Sequence, residues 1–345
     1  MKILVTGASG FIGSFIVEKG LTEGHAMWAG MRATSSRNYL QDSRIRFVEL
    51  DMEHPEILRS QLAACKAGFG GWDVIVHAAG ATKCIRREDF FRTNTEGTRH
   101  FVDALRELDM VPGRFIFISS LSVFGAIREQ AVRHATSDNP WIYAPIREDD
   151  TPRPNTAYGE SKLEAERYLK SLKDFPYVIL RPTGVYGPRE KDHFVMAQSI
   201  KQHVDFSVGY RPQEITFIYV EDLVQAVFSA MIKDVIGREF FISDGNVYHS
   251  TEFSDLIRTE FGHPFMLRIK APVWFLRVVC AINGSFSTWR GRTTTLNRDK
   301  FHILCQRNWQ CDIQPAVKEL DFRPEYPLAR GVKETIAWYK KEGWL

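Results

Sequence analysis

Three glycines near the N-terminus, Gly7, Gly10 and Gly13, constrain the fold of this chain more than any other feature. Residues 6–13 read TGASGFIG, directly after an apolar run and at the opening of a helical pattern. Glycine permits a tight turn and lets the backbone approach a pyrophosphate closely, and a helix N-terminus offers unpaired N–H groups to phosphates. The sequence strand, glycine loop, helix therefore predicts a Rossmann-type fold that binds a dinucleotide here.

Short β-rich runs alternate with helical patterns through the first half of the chain. We predict strands at 2–6, 26–31, 45–50, 73–78, 114–119 and 177–181. Helices are expected between them, for example at 88–109, where apolar side chains recur at helical spacing. Alternation of this kind predicts an α/β fold, a doubly wound parallel sheet with helices on both faces.

The second half is less regular and indicates a smaller lobe. A helix near 223–233 and a strand near 239–243 are expected to return to the main sheet, and a last helix is expected at about 328–341. The expected division is a Rossmann domain of residues 1–185, with 214–245 returning to it, and a C-terminal α/β substrate lobe of residues 186–213 and 246–345.

The end of the second predicted strand bears on the choice between NADP and NAD. An NAD site normally carries Asp or Glu there, which binds the ribose 2′-hydroxyl. Here no carboxylate appears and Arg32 follows, whose guanidinium suits a 2′-phosphate, so NADP is favoured. A solvated loop residue is the alternative for Arg32. Asp51, at the end of the third strand, is placed to accept a hydrogen bond from an adenine amino group or to serve only as a turn residue.

Tyr158 and Lys162 stand four residues apart in a predicted helix and so share one face. The tyrosine is a candidate general acid or base, although an ordinary phenol pKa of about 10 is too high for that role. A nearby ammonium group favours the phenolate and lowers this pKa. Ser120, at the end of the fifth predicted strand, can reach the same cleft edge and hold a substrate oxygen. An isolated pair at this spacing is commonly an exposed helix pair, but the glycine loop and the strand-end serine make chance a poor explanation.

Composition and charge exclude several other classes of protein. The formal net charge is +3 and no dense Lys/Arg stripe appears, so nucleic acid is not an expected partner. The five cysteines form no CxxC pair, which predicts no metal site and fits reduced thiols in a cytoplasmic protein. No signal-peptide pattern precedes the first strand. The apolar stretch 271–282 is interrupted by Arg277 and is too short for a membrane span.

Six motifs together resemble one family over nearly the whole chain. They are TGASGFIG at 6–13, HAAG at 77–80, NTEGT at 94–98, ISSLSVFG at 118–125, YGESK at 158–162 and RPTGVYGP at 181–188. The chain thereby resembles the extended short-chain dehydrogenases/reductases, the NAD-dependent epimerase/dehydratase family. The resemblance implies that residues 78–80 line the cofactor, that Asn94 lies near the active site, and that residues 182–185 pass close to the nicotinamide. Asn94 could instead only tie neighbouring strands together.

The expected site residues follow from these motifs and from the resemblance. The expected cofactor residues are Gly7, Ser9, Gly10, Phe11, Ile12, Gly13, Arg32, Asp51, Met52, Ala78, Ala79, Gly80, Asn94, Ser119, Tyr158, Lys162, Pro182, Thr183 and Val185. The candidate substrate residues are Thr82, Ser122, Trp141, Tyr143 and Arg189.

The family resemblance leaves the substrate open. Nucleotide-sugar members commonly carry a phosphate-binding arginine where this chain has Ile215, and dehydratases carry an Asp-Glu pair where this chain has Leu121 and Ser122. The C-terminal segments and the apolar stretch 272–282 look more like the branch around dihydroflavonol reductases and 3-beta-hydroxysteroid dehydrogenases. We expect an oxidoreductase that interconverts an alcohol and a ketone on a bulky small molecule. A nucleotide-sugar epimerase is the close alternative, and a non-catalytic dinucleotide-binding protein is the second.

The segment 126–154 reads as an insertion rich in aromatic and basic groups, with both ends tied to candidate catalytic residues. We expect its part around Trp141 and Tyr143 to fold over the substrate with residues 190–210; a position on the outer surface, against a partner subunit, is the alternative.

The family resemblance also implies a homodimer. Helix 88–109 and the helix starting near Ala157 are expected to pair with a second subunit. The stripe of Phe91, Phe101 and Leu105 is apolar enough for this, although packing against the chain's own sheet explains it equally well.

Overall fold

The computed structural model describes residues 1–130, 143–210, 213–274 and 298–345. The expected substrate residue Trp141 and residues 275–282 of the apolar stretch lie outside the described residues.

The described elements alternate through the first half of the chain, as the sequence pattern predicts. The strands are β1 Lys2–Thr6, β2 Ala26–Met31, β3 Arg46–Glu49, β4 Val74–His77, β5 Arg114–Ile118, β6 Tyr177–Pro182, β7 Gly184–Tyr186, β8 Val204–Val208, β9 Glu214–Ile215, β10 Phe217–Tyr219, β11 Glu239–Ile242, β12 Tyr248–His249 and β13 Leu267–Ala271. The helices are α1 Phe11–Thr22, α2 Pro55–Phe69, α3 Arg87–Phe90, α4 Gly97–Glu107, α5 Ala157–Ser171, α6 Asp192–Lys201, α7 Val220–Ile232, α8 Glu252–Glu260, α9 Arg298–Cys305, α10 Gln314–Glu319 and α11 Leu328–Lys341. A π-helical segment, Phe91–Glu96, joins α3 to α4, and a 3-10 turn, Leu121–Val123, follows β5.

Seven strands form one sheet in the order β11-β6-β5-β4-β1-β2-β3, and every neighbouring pair is parallel. The inner strands are almost continuously apolar and buried because helices cover both faces of the sheet. The fold class predicted from the sequence, a doubly wound Rossmann-type sheet, is therefore confirmed. The strand order reverses between β1 and β4, and parallel sheets of this type bind ligands at the carboxyl ends of the strands beside such a reversal.

Two apolar cores hold the helices against the sheet. One core joins α1 and α7 to the sheet, and the other joins α2, α4 and part of α5. Phe101 and Leu105 are fully buried in the second core, so most of the apolar stripe on helix 88–109 packs against the chain's own sheet. Each such side chain contributes about 1.5–3 kcal/mol to folding.

The chain between β6 and α7, together with segments that follow β11, builds a separate apolar cluster. Strand β7 pairs with β10, β8 pairs with β13, and β9 pairs with β12. Side chains of α6, α8 and α11 pack together with β7 and β10 in a core of their own. The chain returns to the large sheet at α7, which packs on α1, and at β11, which pairs with β6.

Candidate functional site

A cleft of about 690 Å³ opens at the carboxyl ends of β1, β2 and β4. The glycine loop borders it in a shape that only glycine allows. Gly7 has a φ of +66°, and a Cβ there would lie 2.7 Å from the backbone of Ala79. A Cβ at Gly13 would lie 2.3 Å from the carbonyl oxygen of Gly7. The backbone of the loop that follows β4 therefore packs directly against the glycine turn.

Helix α1 begins at Phe11, with Gly10 at its N-cap position and no side chain capping it. Its first N–H groups are thus available to an anion, and the positive end of the helix dipole favours phosphate. The close-packed glycine turn and the uncapped helix fit the pyrophosphate of a dinucleotide.

Most of the expected cofactor residues that precede Asn94 line this cleft. Those that do are Gly7, Ser9, Gly10, Arg32, Asp51, Met52, Ala78, Ala79 and Gly80. Phe11, Ile12 and Gly13 form the first turn of α1. The cleft is also lined by Ser35, which follows Arg32 closely in the sequence, and by four residues that no motif indicated: Thr34, Glu49, Lys83 and Arg92.

Two of the cleft residues, Arg32 and Asp51, differ in whether their side chains form hydrogen bonds within the described part of the protein. Arg32 is exposed, and within the described residues no hydrogen bond or ion pair engages its guanidinium. The Asp51 carboxylate accepts the backbone N–H groups of Glu53 and His54 at 3.2 and 3.3 Å and contacts the His54 ring at 3.0 Å. Asp51 thus shapes the turn into α2, which is the second of the two roles expected for it, while it also borders the cleft.

Ser120, Tyr158 and Lys162 come together where β5 meets the first turns of α5. Thr156 caps α5 by accepting the N–H of Gly159 at 3.0 Å, which starts the helix at Ala157. The Ser120 hydroxyl lies close enough to the Tyr158 phenol to act on its pKa. Lys162 is 3% exposed, and its Nζ donates to the carbonyl oxygen of Ile118 at 3.0 Å. The same Nζ would lie 3.0 Å from a Cβ at Gly80, so the lysine reaches the cleft edge.

Burial governs the protonation of these groups. Burial raises the pKa of Tyr158, and the hydrogen bond from Ser120 opposes that rise only in part. The expected lowering of this pKa by Lys162 is therefore not met here, because desolvation of the phenolate outweighs the favourable contacts. Burial lowers the pKa of Lys162 to about 8, and the negative charge of Glu166 opposes this. Lys162 thus remains mostly protonated at neutral pH.

Asn94 lies in the π-helical segment and is fully buried. Its Oδ1 accepts the N–H of Ala81 at 2.7 Å, and its Nδ2 donates to the Ala81 carbonyl at 3.0 Å and to the Ser161 hydroxyl at 2.9 Å. The side chain therefore ties the loop after β4 to helix α5. The extra residue per turn in a π-helix directs the amide toward both partners, a common use of such segments near functional sites.

Beside Lys162, the chain buries an ion pair that the sequence analysis missed. Ser119, expected as a cofactor residue, is buried and donates its hydroxyl to Glu166 at 2.5 Å. The Glu166 carboxylate also accepts two hydrogen bonds from Arg181, at 2.9 and 2.6 Å. The signal was available in β6, where Arg181 is the one charge in an otherwise apolar strand.

The remaining expected residues are spread around the site. Pro182 is the last residue of β6, and Thr183 and Val185 follow it, with the Thr183 hydroxyl buried and without a hydrogen-bond partner among the described residues. Ser122 donates its backbone N–H to the Ser120 hydroxyl at 3.2 Å. Thr82 is exposed in the loop after β4.

Two of the candidate substrate residues, Arg189 and Tyr143, are engaged in contacts with other parts of the chain. Arg189 donates to Ser14 and Glu18 of α1 at 2.9 and 2.7 Å and stacks on the ring of Phe15. Tyr143 is 4% exposed, and its carbonyl accepts from Gln310 at 3.2 Å. The described end of the insertion is thus joined to the C-terminal segment, which a bridge between Ile146 and Cys311 extends.

One carboxylate from the C-terminal part reaches the first turn of α5. Asp299 of α9 accepts the backbone N–H of Tyr158 at 3.3 Å. No sequence pattern pointed to this residue, because its approach depends on how α9 packs. Within the described residues, no group of three or more His, Cys, Asp and Glu side chains could hold a metal ion. None of the described helices has the length and apolar character needed to cross a membrane.

Comparison with known proteins agrees with this geometry. Residues 3–242 match the model of the NAD dependent epimerase/dehydratase family. The UDP-glucose 4-epimerase of Vibrio cholerae is 24% identical over 97% of this chain and 94% of its own length. The ceramide reductase of Caulobacter vibrioides (strain NA1000 / CB15N) is 23% identical over 99% of this chain and 96% of its own length. The solved structure of dTDP-glucose 4,6-dehydratase from Bacillus anthracis str. Ames in complex with NAD superposes with a TM-score of 0.75 at 19% identity, over 100% of this chain and 98% of that chain, and thus shares its fold.

Proposed function

The chain belongs to the NAD-dependent epimerase/dehydratase family, and we propose that it is an NAD(P)-dependent oxidoreductase that interconverts an alcohol and a ketone through Ser120, Tyr158 and Lys162. The observation that carries this proposal is the meeting of these three side chains beside a cleft shaped for a dinucleotide. The proposed division assigns residues 1–185, with 214–245, to cofactor binding, and residues 186–213 with 246–345 to substrate binding.

The three side chains have complementary roles in the proposed reaction. The bound nicotinamide would accept or give the hydride. In the oxidation direction the Tyr158 phenolate takes the hydroxyl proton of the alcohol, and the Ser120 hydroxyl donates a hydrogen bond to the same oxygen. The Lys162 ammonium places a positive charge one helical turn from Tyr158, and this charge opposes, without cancelling, the cost of burying the phenolate. In the reduction direction the same phenol returns the proton to the carbonyl oxygen.

The free guanidinium of Arg32 supports NADP as the cofactor. It borders the cleft at the end of β2, and the residues that end this strand include no carboxylate to hold a ribose 2′-hydroxyl. An arginine that is not paired with an acid can bind a 2′-phosphate with two hydrogen bonds. The arrangement is compatible with NAD as well, since the pyrophosphate-binding loop is common to both.

A bulky substrate without a diphosphate is the proposed class. Arg189, the expected substrate arginine, is already paired with Glu18. Ile215 stands where nucleotide-sugar enzymes carry a phosphate-binding arginine, and it packs against an apolar cluster. The full-length similarity to a ceramide reductase agrees with an apolar substrate.

A nucleotide-sugar epimerase is the second candidate. The full-length similarity to a UDP-glucose 4-epimerase favours it. An epimerase returns the hydride to the same substrate, so its cofactor shows no net change. A panel of long-chain keto lipids, hydroxysteroids and UDP-sugars, followed by the absorbance of reduced nicotinamide, separates the two: net oxidation or reduction supports the oxidoreductase, and product formation without it supports the epimerase.

Substitution of the phenol tests the catalytic assignment. We expect Tyr158→Phe to lower kcat by about 1,000-fold or more, because only the phenol can transfer the proton, while the Kd for NADPH changes less than about threefold. Steady-state kinetics and fluorescence titration measure the two quantities. Phe90→Leu is a suitable control, because the Phe90 ring lies 6.3 Å from the Tyr158 ring, centroid to centroid, and has no ionisable proton. A Tyr158→Phe enzyme that keeps near-normal turnover would refute the assignment.

A further inference from the structure

The buried ion pair between Glu166 and Arg181 has no part in the mechanism above. Glu166 is fully buried and Arg181 is 1% exposed. The carboxylate receives three hydrogen bonds, two from Arg181 and one from Ser119. Arg181 also pairs with Glu239, which is partly exposed at the edge of the network and pairs with Lys170. Both charges are therefore fully satisfied inside the protein.

Glu166 is the third member of a row on one face of α5. Residues 158, 162 and 166 are one turn apart, and each is held by one of three consecutive residues at the end of β5. The contacts join Ser120 to Tyr158, the Ile118 carbonyl to Lys162, and Ser119 to Glu166. These three contacts hold the helix against the strand end in a single register. Two of them involve the proposed catalytic side chains, Tyr158 and Lys162.

Stability alone does not account for this ion pair. Removing two charges from water costs several kcal/mol per ion, and well-packed apolar side chains in the same place are commonly as stable or more stable. A buried ion pair can instead fix the arrangement of the elements around it. Here it fixes the position of α5 on β5 and places the negative charge of Glu166 one helical turn from Lys162.

We propose that Glu166 is a positioning residue, which holds the catalytic face of α5 in register with the end of β5 and keeps Lys162 in its protonated form. The proposal rests on the function proposed above for Tyr158 and Lys162.

The charges around Lys162 determine in which direction its pKa should change when Glu166 is replaced. Burial lowers its pKa to about 8, and Glu166 is the carboxylate that opposes this. On β4, His77 faces the lysine, but burial lowers the pKa of His77 to about 3 and leaves it neutral. Phe117 of β5 presents its ring at 4.7 Å from Nζ, Asn94 is uncharged, and Tyr158 is neutral below its raised pKa. Without the negative charge of Glu166, Lys162 therefore loses its proton at a lower pH.

The experiment follows the titration of Lys162 in the substrate-free protein. We compare Glu166→Gln, the paired variant Glu166→Met with Arg181→Met, and the control Glu239→Gln, which leaves the Glu166–Arg181 contacts in place. NMR of ¹⁵N-labelled lysine follows Nζ, with Lys162→Met to assign its signal, and the phenolate absorbance of each protein minus its Tyr158→Phe counterpart follows Tyr158.

We expect the Lys162 midpoint to fall by about one pH unit, a tenfold change in the protonation equilibrium, in both Glu166 variants and to stay unchanged in Glu239→Gln. The Tyr158 phenol ionises only above its ordinary range, where Lys162 is already neutral, so its titration should follow that of wild type and serve as an internal check on the surrounding fold. If Glu166→Gln does not fold, the paired apolar variant carries the test, since it leaves no unpaired charge in the interior. Ser119→Ala keeps the negative charge of Glu166 but removes its hydrogen bond to the end of β5. Its Lys162 midpoint should therefore stay in place while kcat falls.

A folded Glu166 variant with wild-type titration of Lys162 would overturn the proposal. The titrations need no substrate, so they remain readable even if Tyr158→Phe retains turnover. In that case the catalytic assignment fails while the positioning of Lys162 by Glu166 is judged separately.

Discussion

At the scale of one residue, we propose that Arg32 decides which dinucleotide the cleft prefers. Its guanidinium is exposed at the cleft and is not paired within the described part of the chain. We predict that Arg32→Ala raises the Kd for NADPH by about 10- to 100-fold, since a hydrogen bond to a charged group contributes about 1.5–3 kcal/mol. The Kd for NADH should change little, because NADH has no 2′-phosphate. Fluorescence titration with both cofactors measures the difference.

Arg44 provides the matched control for this prediction. It is another exposed arginine, which precedes β3 and does not line the cleft, and three hydrogen bonds hold its guanidinium on Asp42. Arg44→Ala should leave both affinities unchanged. Equal weakening of NADPH and NADH binding by Arg32→Ala would show that Arg32 does not contact the ribose phosphate.

The side chains whose proximity could be predicted from the sequence are those whose partners lie in short local patterns. Tyr158 and Lys162 are one helical turn apart, and Ser120 follows an apolar run that had to be a strand. Glu166 and Arg181 were missed because their contact depends on how α5 packs on β6. A charge in a buried strand requires a counter-charge, so Arg181 was itself a readable signal, but its partner could not be chosen from the sequence.

At the scale of elements, the glycine loop joins strand, turn and helix in one close-packed unit. A Cβ at Gly13 would meet the Gly7 carbonyl at 2.3 Å, and backbone atoms cannot rotate away as a side chain could. We predict that Gly13→Ala destabilises the protein by about 1–3 kcal/mol, as overpacking does, and raises the Kd for NADPH by about tenfold or more. Urea unfolding and cofactor titration measure the two effects.

Gly68 is the contrasting position. It lies inside α2, and a Cβ there would meet no atom within 4 Å. Gly68→Ala should therefore stabilise the protein by about 0.5–1 kcal/mol, because alanine favours the helix, with no change in cofactor affinity. If Gly13→Ala behaved like Gly68→Ala, the close-packed turn would not be required for binding.

The elements that were predicted most closely are the strands of the large sheet. Each of the first six lies within one residue of its predicted bounds, since a strand buried on both faces is a continuous apolar run with clear ends. The π-helical segment at 91–96 left no such trace inside the predicted helix 88–109. The short pairs such as β7 with β10 also escaped, because two or three residues carry no periodicity and depend on contacts distant in the chain.

At the scale of the whole molecule, a homodimer through α4 and α5 remains a prediction. The apolar stripe of α4 is buried in the chain's own core, so the surface left for a partner is polar, with Arg99, Glu164 and Arg167 exposed. We expect a dimer whose association weakens with salt, because exposed charges are screened. Light scattering at micromolar concentration in low and high salt tests this. Monomer alone under both conditions would rule out the dimer at these concentrations.

The acid stability of the molecule depends on how deeply its ionised carboxylates are buried. Two carboxyl groups, Glu190 and Asp42, both have a pKa lowered to about 2. Burial alone would raise the pKa of Glu190, but hydrogen bonds from His193 and from the backbone at the start of α6 lower it. Asp42 is lowered by hydrogen bonds from Arg44 at an open surface.

These two groups should respond differently to acid. A carboxylate with a lowered pKa in the folded state stabilises the protein above its unfolded pKa of about 4.3, and this contribution is lost as pH falls toward the folded value. For Glu190, whose side chain is 15% exposed, the contribution is on the order of 3 kcal/mol, whereas solvent screens the Asp42 pair. We therefore predict that Glu190→Gln lowers the urea midpoint near neutral pH and flattens its fall at acid pH, while Asp42→Asn alters neither. Urea unfolding across the range from neutral to acid pH measures both, and a Glu190→Gln protein with the acid profile of wild type would assign acid sensitivity to other carboxylates.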